Sequence, residues 1–84
     1  MGKFEKLLFK LLSGTSDNNF SFEDLRSLLL NLGFTEKTTA GSHRIFYKEG
    51  ILELINIQPL GSKAKPYQVK QIRGIVLKYK LAKL

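Results

Sequence analysis

The chain holds one histidine, His43, and no cysteine, so its options for proton chemistry are few. An imidazole titrates ordinarily near about pH 6.5 and is largely neutral at pH 7, where it can accept a proton in a reaction. Cutting RNA asks for that service. A base removes the proton from a ribose 2′-OH, and the oxygen then attacks the adjacent phosphate. A positioned base typically supplies about 10² to 10⁴ in rate, and nearby cations stabilise the charge that builds on the phosphate. Arg44, Lys48, Lys63 and Lys65 are the closest basic residues in sequence. Ser42 is a poor nucleophile candidate, because it has no second histidine and no nearby Asp to orient one. It suits a turn or a phosphate contact better, together with Gly41. One histidine and scattered carboxylates offer no metal-ligand cluster, and Gly61-Ser62-Lys63 lacks the spacing of a phosphate-cradling glycine loop. No metal and no cofactor is expected.

The elements that must position His43 can be read from periodicity. Phe4 to Leu12 places Phe4, Leu7, Leu8 and Leu11 on one helical face, and Ser13-Gly14 end it. Polar residues Thr15 to Asn19 make a loop. Ser21 is placed to cap a second helix, with Asp24 three residues on. Phe22, Leu25, Leu28, Leu29 and Leu32 follow at helical spacing until Gly33. Phe34 to Thr39 is threonine-rich and suits an edge strand. Ala40-Gly41-Ser42 reads as a turn, His43 to Lys48 as the next strand, and Glu49-Gly50 as a two-residue hairpin turn. Ile51 to Ile57 is then a third strand, closed by Pro59. Ile45, Phe46 and Tyr47 are consecutive, as are Leu54 and Ile55, so both sheet faces are expected to be partly covered, one of them by a partner or a second copy. Gly61 to Lys65 reads as a small basic loop, and Pro66 opens a final helix with Val69, Ile72, Val76 and Tyr79 as its apolar stripe. The order predicts an α+β domain with a three-stranded antiparallel meander and helices on one face.

The chain has 84 residues and a net charge of +7, with 14 Lys/Arg against 7 Asp/Glu. Length points to one compact domain, and the 43% hydrophobic content to a folded one. All acids lie at or before Glu53, whereas the chain from Lys63 onward carries only basic charges. Such asymmetry sets up a field that attracts polyanions, nucleic acid first; Lys70 and Arg73 on the final helix join the candidate contacts. Tyr47 and Tyr67 are candidates to stack on bases, although aromatic residues in a strand and at a helix start more often belong to a core or its rim. The first segment is interrupted by Lys3, Glu5, Lys6 and Lys10, unlike a secretory signal, and no stretch nears the roughly 20 apolar residues of a membrane span. A cytoplasmic protein without a membrane partner is expected.

The run Leu32-Gly33-Phe34, followed by Gly41-Ser42-His43-Arg44-Ile45-Phe46-Tyr47-Lys48, resembles the signature of the HicA toxins. The final helix, with Tyr67, Gln68, Val69, Gln71 and Ile72, is also similar to that family's last helix. The resemblance covers residues 21–80 and rests mainly on Gly-Ser-His between helix and hairpin. It implies a fold like the double-stranded-RNA-binding domain, helix, three strands and helix. It implies metal-independent cleavage of messenger RNA, growth arrest, and neutralisation by a cognate HicB antitoxin. The family's catalytic histidine maps to His43, and its turn to Gly41 and Ser42. Two departures stand out. Arg44 occupies a place where many members have a second histidine, leaving the general acid to water, a lysine or a tyrosine. Residues 1–20 form an extension preceding the toxin-like part, residues 21–84.

Three readings follow from the sequence. One is an endoribonuclease toxin using His43. Another is a non-catalytic module for double-stranded RNA, and the third an adaptor binding protein through the open sheet face. A homo-oligomer is compatible with all three.

Overall fold

The computed structural model describes residues 2–38 and 43–82; Thr39, Ala40 and the expected turn residues Gly41 and Ser42 lie outside them. The leucine spacing near the start forms helix α1, Lys3–Ser13, which buries Leu7, Leu8 and Leu11. It stops at Gly14, whose φ of +71° is readily adopted without a Cβ. A short 3₁₀ turn, Asp17–Asn19, leads to the wholly buried Phe20. Helix α2 spans Phe22–Asn31, and Ser21 caps it as expected: the Asp24 N–H donates to Ser21 Oγ at 3.3 Å. Phe22, Leu25, Leu28 and Leu29 turn inward.

Strands β1 (Thr35–Thr38), β2 (Arg44–Tyr47) and β3 (Ile55–Ile57) form an antiparallel sheet in sequence order, with β2 central. Phe46 and Ile55 pair, and both are fully buried with Ile57. Alternation sends Ile45, Tyr47 and Asn56 to the opposite face. That outer face is more open than the consecutive apolar residues suggested, since Tyr47 and Asn56 are exposed and Ile45 half-buried.

The third strand is shorter than the sequence indicates. Glu49-Gly50 does turn the chain, and the Ile51 N–H donates to the Lys48 carbonyl at 3.1 Å. A tight two-residue hairpin would then set Ile55 opposite Arg44, whereas Ile55 pairs with Phe46. The shift is two residues, so inward side chains stay inward. Its cause is visible in residues 51–54, which are held elsewhere. Glu53 accepts from Tyr79 Oη at 2.5 Å and from Lys78 Nζ at 2.9 Å, and the Leu52 N–H donates to Tyr79 Oη at 3.4 Å. The hydrogen bonds from Tyr79 and then Lys78 hold the Glu53 carboxyl below its ordinary range.

The basic loop expected over Gly61 to Lys65 is instead a small hairpin. Strands β4 (Pro59–Leu60) and β5 (Lys63–Ala64) pair across Gly61-Ser62. The hairpin docks by two hydrogen bonds, from Phe22 N–H to the Ser62 carbonyl at 3.1 Å and from Ala64 N–H to the Phe20 carbonyl at 2.9 Å. Helix α3, Pro66–Lys78, begins with its proline where no backbone donor is needed. Val69, Ile72, Ile75 and Val76 join one core with the α1 and α2 leucines and the inner sheet residues.

Two polar fasteners brace this core. Arg73 of α3 makes a bidentate pair with Asp17, at 2.8 and 3.0 Å, and also donates to the Leu11 carbonyl at the end of α1. Arg26 of α2 grips Glu36 of β1 at 2.6 and 2.9 Å, and Arg44 of β2 adds a third hydrogen bond at 3.2 Å. Hydrogen bonding from Arg26 holds the Glu36 carboxyl below its ordinary range, with the charges of Arg26 and Arg44 assisting against the pull of burial.

Two expectations follow. A Cβ on Gly74, within α3, would meet nothing within 4 Å. Gly74→Ala should therefore stabilise the chain by about 0.5–1 kcal/mol in denaturant unfolding, because a helical alanine loses less backbone entropy. For Glu36, a depressed folded-state titration adds stability above the unfolded carboxyl's range and loses it as pH falls through the folded value. Glu36→Gln should cost about 1–2 kcal/mol at pH 7. Its deficit against wild type should shrink in unfolding curves taken below about pH 4.

Candidate functional site

A carboxamide builds the site. Gln68 sits in the first turns of α3 and is buried among apolar neighbours. Its Nε2 donates to the Asn56 carbonyl at 3.0 Å, and its Oε1 accepts from the Gln58 N–H at 3.2 Å. Both partners are backbone groups on the free edge of β3. The side chain thus does for that edge what another strand would do, and it locks α3 against the sheet.

His43 immediately precedes β2. Arg44 is paired with Ile57, so the register continued by one step sets His43 beside Gln58 on the outer face. There His43 lines an open cleft of about 200 Å³ with Leu54, Asn56 and Gln58 from the β3 strand and its flanks. Helix α3 supplies the other wall, with Tyr67, Gln68 and Gln71. Tyr67 is 65% and Leu54 63% exposed, so both present apolar surface to whatever enters. Apart from His43 the lining contains no titrating carboxylate or ammonium group. A cation reaches one of the lining residues: Lys65 Nζ donates to Gln58 Oε1 at 3.0 Å.

The sequence-selected basic residues divide. Lys65 joins the cleft through Gln58, Lys70 is exposed three residues beyond Tyr67 on α3, and Lys63 is exposed on β5. Arg44 lies on the other face of the sheet from His43, held by Glu36 and by Thr38 Oγ1 at 3.3 Å. Arg73 is held by Asp17. Lys48 lines a separate cleft with Phe4, Asn31, Leu32 and Leu81. The carboxamides of Asn56, Gln58, Gln68 and Gln71 were not selected from the sequence. One of them left a signal there: Gln68 falls on the buried stripe of α3, in step with Ile72, Ile75 and Val76, and a polar group in such a stripe needs a partner.

These features define an α+β domain ordered as in double-stranded-RNA-binding folds, with a histidine-lined cleft between sheet and last helix. The chain belongs to the HicA toxin family: the family described as the HicA toxin of bacterial toxin–antitoxin matches residues 22–84. It is thus a toxin of a toxin–antitoxin system, a family that implies a cognate HicB antitoxin. No curated protein and no solved structure gives a match. Among the described residues, no helix is long and apolar enough to cross a membrane.

Gln68→Leu tests the edge closure. Leucine is the more apolar residue, yet it leaves the Asn56 carbonyl and the Gln58 N–H without their partner. A loss of about 2–3 kcal/mol is expected in denaturant unfolding. An unchanged midpoint would show that the carboxamide bridge carries no stability.

Proposed function

We propose that this toxin is an endoribonuclease that cleaves messenger RNA and so blocks translation, with His43 as general base. The observation that carries the reading is the position of the single imidazole, at the wall of an open cleft flanked by Lys65. The imidazole takes the proton from a ribose 2′-OH. That oxygen attacks the neighbouring phosphorus, the P–O5′ bond breaks, and a 2′,3′-cyclic phosphate and a free 5′-OH result. The leaving oxygen takes its proton from water, from the Lys65 ammonium or from the Tyr67 phenol. Lys63, Lys65 and Lys70 hold the phosphates of the strand, with Gly41 and Ser42 beside the histidine as a further phosphate contact. Arg44, Lys48 and Arg73 contribute through the long-range field rather than by touching the scissile phosphate. The chemistry uses no metal or cofactor. Among the described residues, no three metal-ligating side chains are grouped to hold an ion. Residues 1–20 serve as an extension that completes the core of the toxin domain, and the site of action is the cytoplasm, where messenger RNA is translated.

The test is His43→Ala. Expression of the wild type should arrest growth and fragment messenger RNA. The variant should keep its far-UV circular dichroism and lose RNA cleavage by about 10² to 10⁴. Undiminished cleavage by a folded His43→Ala protein overturns the reading. Salt-sensitive RNA binding without loss of RNA integrity in either protein would identify a binding module instead.

A further inference from the structure

The cleft has a composition that a phosphate site would not have. Besides His43, its walls are formed by four carboxamides, a phenol and a leucine, and no lysine or arginine lines it. A phosphodiester seeks ammonium, guanidinium or bunched backbone N–H groups. A planar heterocycle with donors and acceptors along its rim seeks an aromatic or apolar face together with carboxamides. The lining matches the second partner.

Of the four carboxamides, two are already engaged. Gln68 closes the β3 edge, and Gln58 accepts from Lys65. Among the described residues, no hydrogen bond engages the side-chain amides of Asn56 and Gln71. Each therefore has a donor and an acceptor to offer. Tyr67 and Gln71 are four residues apart on α3, so they lie on one face of the helix. Gly74 continues that face without a side chain and has no packing contact that would require a glycine.

We infer that this cleft is a nucleobase pocket, in which Tyr67 stacks on an unpaired base while Asn56 and Gln71 hydrogen-bond its edge. Resting on the endoribonuclease reading, the inference places that base next to the scissile phosphate and makes cleavage base-selective. Lys65 and Lys70 then flank the pocket where the phosphates on either side of the base must lie. A base in a duplex is stacked and paired and cannot enter, so the recognised RNA is single-stranded at the cut.

The experiment separates pocket from chemistry. A single-stranded oligoribonucleotide with 2′-O-methyl riboses, which lacks the attacking hydroxyl, carries one 2-aminopurine and is titrated onto the full chain. Wild type should quench the fluorescence. Tyr67→Ala and Gln71→Ala, each checked for a native circular dichroism spectrum, should bind about tenfold or more weakly. The same oligonucleotide annealed to its complement should give no quenching. Equal binding by both folded variants, or equal quenching by the duplex, overturns the pocket. In a second arm, cut sites are mapped on a long messenger RNA. Wild type should favour one base class, and the preference ratio should fall about tenfold in Asn56→Ala and Gln71→Ala. Cutting without base preference also overturns the inference while leaving the nuclease intact. If His43→Ala cuts as well as wild type, the nuclease reading fails, and the quenching arm still decides the pocket.

Discussion

One buried carboxamide sets the geometry of this molecule. Without Gln68, the half-buried Asn56 carbonyl and Gln58 N–H would lose their partner. Such groups cost about 1–3 kcal/mol each when buried and unmet. With Gln68 in place, α3 is held at a fixed height along β3, since a single side chain satisfies two backbone groups two residues apart. That height brings Tyr67 and Gln71 beside the outer face of the sheet rather than beyond its end. The helix wall of the cleft is a consequence of that contact. A purely apolar contact between helix and strand could slide, because burial has no direction. Two hydrogen bonds to one amide cannot.

The positive charge is divided between fold and surface by chemistry. All three arginines, Arg26, Arg44 and Arg73, are committed to carboxylates of this chain. The guanidinium fork matches a carboxylate in two places and holds its charge in half-buried settings, which suits it to bracing a core. The lysines carry compact, strongly hydrated charges on flexible stems, and Lys63 and Lys70 stay exposed. Net charge alone treats these cations as equivalent. Arg73 and Lys70 lie on the same helix and look equally available in the sequence, yet only one of them faces solvent freely.

What was legible in the sequence followed from local rules. The three helices obey apolar spacing, and the Ser21 cap and the Gly14 stop answer to chain geometry within a turn. The α+β order and the central place of the strand after His43 follow from those elements and from turn residues. The register of β2 on β3 was not legible, because it is set by Tyr79 and Lys78 holding Glu53, and those partners lie 26 and 25 residues away. The β4–β5 hairpin escaped for a related reason. Two-residue strands have no periodicity, and this one owes its place to bonds with Phe20 and Phe22. The histidine could be found as a residue type. Its neighbours could not, because Asn56 and Gln58 meet it only through the β2–β3 register and Gln71 only once α3 is docked.

The N-terminal segment shows how the same physics binds an unmatched stretch to a family domain. The family match begins at residue 22, one step past the α2 cap. Yet Leu8, Leu11 and Phe20 are at most 1% exposed, and they share a core with residues from every part of the matched region. Each such side chain contributes about 1.5–3 kcal/mol of transfer free energy, a large fraction of what a domain of this size retains as net stability. The matched region reciprocates through Arg73, which spends its guanidinium on Asp17 and on the last turn of α1. An arginine tied in this way is withdrawn from any polyanion on the surface. The segment therefore does more than add area. By capturing Arg73 it leaves Lys70 as an exposed cation on the same helix, and it ties the helix that walls the cleft to residues outside the family match.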